Sequence, residues 1–160
     1  MITKFNKPMM SDKEIKIIEG LIKDNKVNTV LEFGSGGSTC YFPKIKPIKL
    51  WVSIEHNGHF VENNHNLPDN AMIIWADEEW YIDSVKLGRK FDMILVDGVT
   101  RHDCLDIAFS LLNTNGFILL HDAGRFDLYP FIEEFGGKLL IDGEEPFGTR
   151  YKHRGLAIFK

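Results

Sequence analysis

The sequence predicts a single α/β domain built on an open, mostly parallel sheet of seven strands with helices on both faces. Three observations carry this reading. Five short apolar runs, at 29–33, 50–55, 72–76, 93–97 and 117–121, alternate with segments of helical spacing. These runs lack the polar/apolar alternation of half-exposed strands, which suits parallel strands buried on both faces. Two further runs, 138–141 and 156–159, have no helix between them and should close the sheet as an antiparallel hairpin.

Each element has a local cause. Ser11-Asp-Lys-Glu14 is a capping box ahead of Ile15, Ile18, Leu21 and Ile22, so a first helix is expected over 12–24. The strand at 29–33 runs into Gly34-Ser-Gly36-Gly37. Gly34 and Gly36 permit a sharp turn and a close approach by a ligand that any Cβ would obstruct. Ser38 and Thr39 can cap the next helix, expected at 38–45, whose free N–H groups then face the ligand. Glu55 ends the second strand, where a carboxylate can accept hydrogen bonds from both hydroxyls of a ribose. The remaining helices are expected at 58–66, 79–88, 101–113 and 125–135. Ligands of open α/β sheets bind outside the carboxyl ends of the parallel strands. Those ends here are Gly34, Glu55 with His56, Ala76 with Asp77, Asp97 with Gly98, and His121 with Asp122.

Composition bounds the function. At 160 residues, 44% hydrophobic and 26% charged, the chain is an ordinary globular domain, and a net charge of −4 disfavours general nucleic-acid binding. No apolar run approaches the length of a bilayer span, and the first residues carry no signal-peptide pattern, so a cytoplasmic, membrane-free protein is expected. Cys40 and Cys104 lack metal-ligand spacing; they are free thiols or one bridge, and are read as packing residues of a reducing compartment.

The dinucleotide pattern G-x-G-x-x-G fails at Thr39. Glu32-Phe-Gly34-Ser-Gly36-Gly37 instead resembles motif I of the class I S-adenosylmethionine (SAM) dependent methyltransferases. That family has a Rossmann-like sheet closed by a reversed seventh strand beside the fifth, so the resemblance covers nearly the whole chain. It implies SAM as cofactor, with Gly34, Gly36 and Gly37 against its methionine part, Glu32 orienting its ammonium group, and Ser38 and Thr39 also at the cofactor where they cap the next helix. Glu55 and His56 would meet the ribose, Ala76 would cover the adenine and Asp77 would accept from its amino group. Glu78 or Trp80 can replace that last pair, and Asp77 can equally cap the helix that follows.

The strand ends Val-Asp97-Gly98 and His121-Asp122 resemble catechol-type and sugar O-methyltransferases, in which such acids flank the transferred methyl and Asp97 borders the cofactor. Some of those enzymes bind a divalent metal. Asp97, His121 and Asp122 offer two carboxylates and an imidazole, but the Asp-Asn pair of the catechol type is Asp122-Ala123 here, so no metal is expected. Methyl transfer is an in-line displacement that depends on positioning, and an oxygen nucleophile must also lose a proton. His121 and Asp122 are the first candidates to take it, with Asp97 and His102 next.

Arg101, Arg125 and Arg150 are candidate clamps for an anionic acceptor such as a carboxylate, phosphate or uronic acid. Arg101 can alternatively pair with Asp97 or Asp103. Residues 143–154 form either a lid or a solvated turn. The Asn/Asp-Pro-Pro-Tyr/Phe run of amino-group methylating relatives is absent, since Asp97-Gly-Val-Thr stands there, which favours an oxygen of a small molecule or sugar. The rivals are a non-catalytic SAM-binding scaffold, an aminopropyltransferase-like enzyme and a nicotinamide-binding domain. A domain this small must draw acceptor specificity from its first helix, its loops or a second copy of itself in a homo-oligomer.

Overall fold

The computed structural model describes residues 7–64, 67–77, 79, 81–83, 88–143 and 154–160. Its elements in order are α1 (Asp12–Asp24), β1 (Thr29–Phe33), α2 (Gly37–Tyr41), β2 (Leu50–Glu55), α3 (Gly58–Asn63), β3 (Ala71–Trp75), β4 (Phe91–Val96), α4 (Arg101–Ser110), β5 (Leu112–His121), α5 (Tyr129–Glu134), β6 (Lys138–Ile141) and β7 (Leu156–Phe159). They form one seven-stranded sheet in the order β3-β2-β1-β4-β5-β7-β6. Pairings among β1 to β5 are parallel, and β7 runs antiparallel to both β5 and β6. The expected sheet, with its reversed strand beside the fifth, is the one observed.

Alternate strand residues enter two separate cores, which is why the runs read as continuously apolar. Val30, Met93, Leu95, Phe117 and Leu119 face one side, where Ile15, Ile18 and Ile22 of α1 cover them. Leu31, Ile94, Val96, Ile118 and Leu120 face the other, against Cys104, Leu105 and Ala108 of α4 and Ile132 of α5. Both cysteines are buried free thiols. Among the described residues no helix is long and apolar enough to cross a membrane.

Several boundaries differ from expectation. The helix expected over 101–113 stops at Ser110, and β5 starts at Leu112 with an irregularity before it resumes pairing at Phe117. Asp92 causes this, because its Oδ1 accepts from Asn113 Nδ2 at 2.7 Å and draws the Asn-Thr-Asn-Gly segment toward the sheet. Asn115 takes a left-handed φ of +65°. Pro43 lies in a short 3-10 turn, Phe42–Lys44, into which α2 runs. The segment 125–135 divides into a 3-10 turn and α5, where Pro130 starts the helix. Much of the helix expected at 79–88 lies outside the described residues.

Candidate functional site

Four parallel strands, β1, β2, β4 and β5, end along one cleft of about 640 Å³. Its floor is set by two glycines. Gly34 turns at φ +102°, and a Cβ on it would lie 3.1 Å from Gly98 Cα, while one on Gly98 would lie 3.0 Å from Gly34 N and 2.2 Å from the Tyr81 hydroxyl. The loops after β1 and β4 therefore touch backbone to backbone, which only glycine at both places allows. A Cβ on Gly37 would fall 1.9 Å from the Lys7 carbonyl oxygen, so the segment ahead of α1 lies directly on the glycine loop. That segment supplies Met9 and Met10 to the cleft wall.

Two carboxylates organise the glycine loop from behind. Glu32 is fully buried and accepts from the hydroxyls of Ser38, Thr39 and Ser53 and from the Trp51 indole. Burial, opposed by these donors, raises its pKa to about 7. In its protonated form one of the hydroxyls must turn to accept. Glu55, also buried, accepts at Oε2 from Ser35 N (2.8 Å) and Ser35 Oγ (3.1 Å), and at Oε1 from Asn57 N (2.7 Å). His56 Nδ1 lies 3.1 Å from the same Oε1. The turn after β1 is thus tied to the end of β2.

The Glu32 shift has a stability consequence of definite sign. Between pH 4.5 and about 7 the unfolded carboxyl loses its proton while the native one keeps it, so stability falls as pH rises through this window. Glu32→Gln should abolish that fall, worth about 3 kcal/mol, leaving a flatter profile in urea titrations at stepped pH. Parallel profiles for the two proteins would show that Glu32 ionises normally.

On the other side of the cleft a charged cluster joins β4 to β5. His121 Nδ1 lies 2.7 Å from Asp97 Oδ1, and its Nε2 lies 3.6 Å from Glu14 Oε1. Although burial opposes protonation of His121, the charge and hydrogen bond of Asp97, with Asp122 and Glu14, raise its pKa. Glu14 is the capping-box residue of α1, and it also accepts from Gly155 N at 2.7 Å. Asp122, at a left-handed φ of +55°, accepts from Arg154 N at 2.9 Å and from Arg101 Nη2 at 3.1 Å. Burial works against ionisation of Asp122, but His121, Arg101 and the Arg154 N–H hold its pKa below the ordinary carboxylate value.

Arg101 is only 10% exposed. Its Nε donates to the Gly98 carbonyl (3.1 Å), Nη1 to the His121 carbonyl (2.7 Å), and Nη2 to Asp97 O (3.3 Å), Asp97 Oδ1 (3.3 Å) and Asp122 Oδ2.

No protein-family model and no curated protein sequence matches the chain. Solved structures do. An O-methyltransferase from Bacillus cereus in complex with SAH aligns at TM-score 0.74 and 15% identity, over 96% of this chain and 84% of that one. A putative caffeoyl-CoA O-methyltransferase from Staphylococcus aureus aligns at 0.72 and 18%, over 94% and 84%. The O-methyltransferase TomG from Streptomyces achromogenes, in complex with SAM, aligns at 0.71 and 14%, over 94% and 80%. The chain has the Rossmann-like methyltransferase fold.

Within that fold the expected site residues divide. Glu32, Gly34, Gly36, Gly37, Ser38, Glu55, His56, Asp97, Arg101, His121 and Asp122 line the cleft, and Thr39 sits behind it on Glu32. Ala76 is buried after β3 and Asp77 is exposed; neither lines the cleft, and Glu78 and Trp80 lie outside the described residues. His102 is turned away, its ring tilted against that of Phe131 with centroids 4.4 Å apart. Arg125 pairs with Asp127 at 2.7 Å and does not line the cleft, whereas Arg101 lines it with its guanidinium bonded to protein acceptors. Arg150 and most of the lid segment at 143–154 lie outside the described residues. Glu14 escaped sequence reasoning because its N3 position already accounts for a glutamate. Arg154, met only within a basic run, also lines the cleft.

The donor set of Asp97, His121 and Asp122 falls within 4.8 Å. In this cluster Asp97 Oδ1 and both Asp122 oxygens accept hydrogen bonds from the protein, and the His121 nitrogens face Asp97 and Glu14.

Proposed function

We propose that the chain is a class I SAM-dependent methyltransferase acting on an oxygen of a small molecule or sugar. The observation that carries this is the cleft itself, lined together by a glycine loop, the Glu55 carboxylate and Asp97. The residues present fit the cofactor. Gly36 leaves open space where a Cβ would stand, and Gly34 to Ser38 and Glu55 would hold its amino-acid and ribose parts. The bound cofactor would supply a methyl group on a positively charged sulfur. The names of the solved neighbours and the absence of a Pro-Pro run after β4 favour oxygen as the acceptor atom.

The chain's own part is to position the acceptor and take its proton. Asp97 is the best-placed base, since its side chain is 27% exposed in the cleft while His121 is 5% exposed behind it. Asp97 Oδ1 is fixed by His121 and Arg101, and Oδ2 carries no hydrogen bond from a described residue. His121 thus orients Asp97 and balances its charge.

SAM and S-adenosylhomocysteine (SAH) should each raise the melting temperature, because a ligand that binds only the native state stabilises it by mass action, whereas NAD should not. A shift with NAD and none with SAM would end this reading.

A further inference from the structure

A carboxylate pair at the ends of two adjacent strands needs a positive charge between its members if both are to stay ionised when half-buried. Asp97 and Asp122 form such a pair after β4 and β5, with side chains 27% and 23% exposed. Two groups lie beside both: His121, with Nδ1 at 2.7 Å from Asp97 Oδ1 and 3.8 Å from Asp122 Oδ1, which is cationic only when protonated, and the always-charged Arg101, with Nη2 at 3.3 Å from Asp97 Oδ1 and 3.1 Å from Asp122 Oδ2. The Nε and Nη1 of Arg101 are fixed on the carbonyls of Gly98 and His121. A planar fork held at three corners cannot swing out as a lysine can, which makes it a permanent part of the strand ends.

We infer that the Arg101 guanidinium is the resident cation of this cluster, filling the electrostatic role of a divalent ion between Asp97 and Asp122 and keeping that pair from ligating metal. The assignment stands on the geometry of Arg101. Its consequence for catalysis, that proton removal by Asp97 requires no divalent ion, rests on the methyltransferase reading. Arg101 is here a positioning residue: it fixes Asp97 Oδ1 and joins the two strand ends. Without it the two carboxylates keep only the titratable His121 as a shared counter-charge, and a hard divalent cation with oxygen preference should then be drawn in.

The test is a titration of the cofactor-free protein with manganese(II), following the free-ion signal by electron paramagnetic resonance. Wild type should leave that signal unchanged into the millimolar range. Arg101→Ala and Arg101→Gln should each bind one ion roughly tenfold or more tightly than wild type, and manganese should raise their melting temperature only. Adding Asp122→Asn to Arg101→Ala should remove the gained site. Circular dichroism shows whether the variants fold; if neither does, the wild-type titration beside Asp97→Asn decides. The inference is overturned if wild type binds one manganese that Asp97→Asn releases, or if folded Arg101 variants bind no more than wild type. Because neither cofactor nor acceptor is present, failure of the methyltransferase reading would appear separately, as absence of SAM binding.

Discussion

Asp97→Asn should lower turnover by about two to four powers of ten while leaving affinity for SAH within a few-fold. Asparagine preserves the shape of the side chain and an oxygen that can accept from His121 and Arg101, so the strand ends stay joined. It removes the ability to take a proton. Single-turnover rates with an accepted alcohol or phenol, beside SAH titrations, separate the two effects. Asp122→Asn is the informative partner, because both Asp122 oxygens already hold protein donors and its left-handed φ of +55° suits asparagine. Its loss should be much smaller. Unchanged turnover in Asp97→Asn, or a greater loss in Asp122→Asn, would move the proton acceptor away from Asp97.

Glu55→Ala should weaken SAH binding by about 1–3 kcal/mol, since a charged acceptor for sugar hydroxyls is lost. The structure adds a second reason. Glu55 also holds the N–H groups of Ser35 and Asn57, at 2.8 and 2.7 Å, so its removal frees the turn after β1 as well as the loop after β2. Glu55→Gln separates the contributions, because the amide keeps one acceptor for the backbone but not the charge. Calorimetric titration of SAH into the three proteins should rank wild type above Gln above Ala. Equal affinities would remove Glu55 from the cofactor site.

The sheet was legible because buried parallel strands leave continuous apolar runs: those at 29–33 and 50–55 match their strands end for end, as do the two runs of the antiparallel hairpin at 138–141 and 156–159. The early start of β5 was not legible, since it depends on Asp92 reaching Asn113 across a strand pair. At the site, residues placed by the backbone were readable. Gly34, Glu55, Asp97 and His121 stand where strands end, and the chain direction brings them together. Residues placed by their side chains were not. His102 and Arg125 neighbour the right segments, yet their side chains turn to Phe131 and Asp127. The sequence left Arg101 either as a clamp or as the partner of Asp97 or Asp103; its bond to Asp122 needs the β4–β5 register. Glu14 reaches Gly155, 141 positions away, through a contact that no local pattern encodes.

The proposed function requires a SAM-type cofactor in the cleft, against the glycine loop, Glu55 and Asp97. Crystals grown with SAH test it most directly. The ligand is expected along the ends of β1, β2 and β4, its sugar hydroxyls on Glu55 and its sulfur toward Asp97. Ligand bound elsewhere on the chain, or a cleft that admits NAD and not SAH, would contradict it.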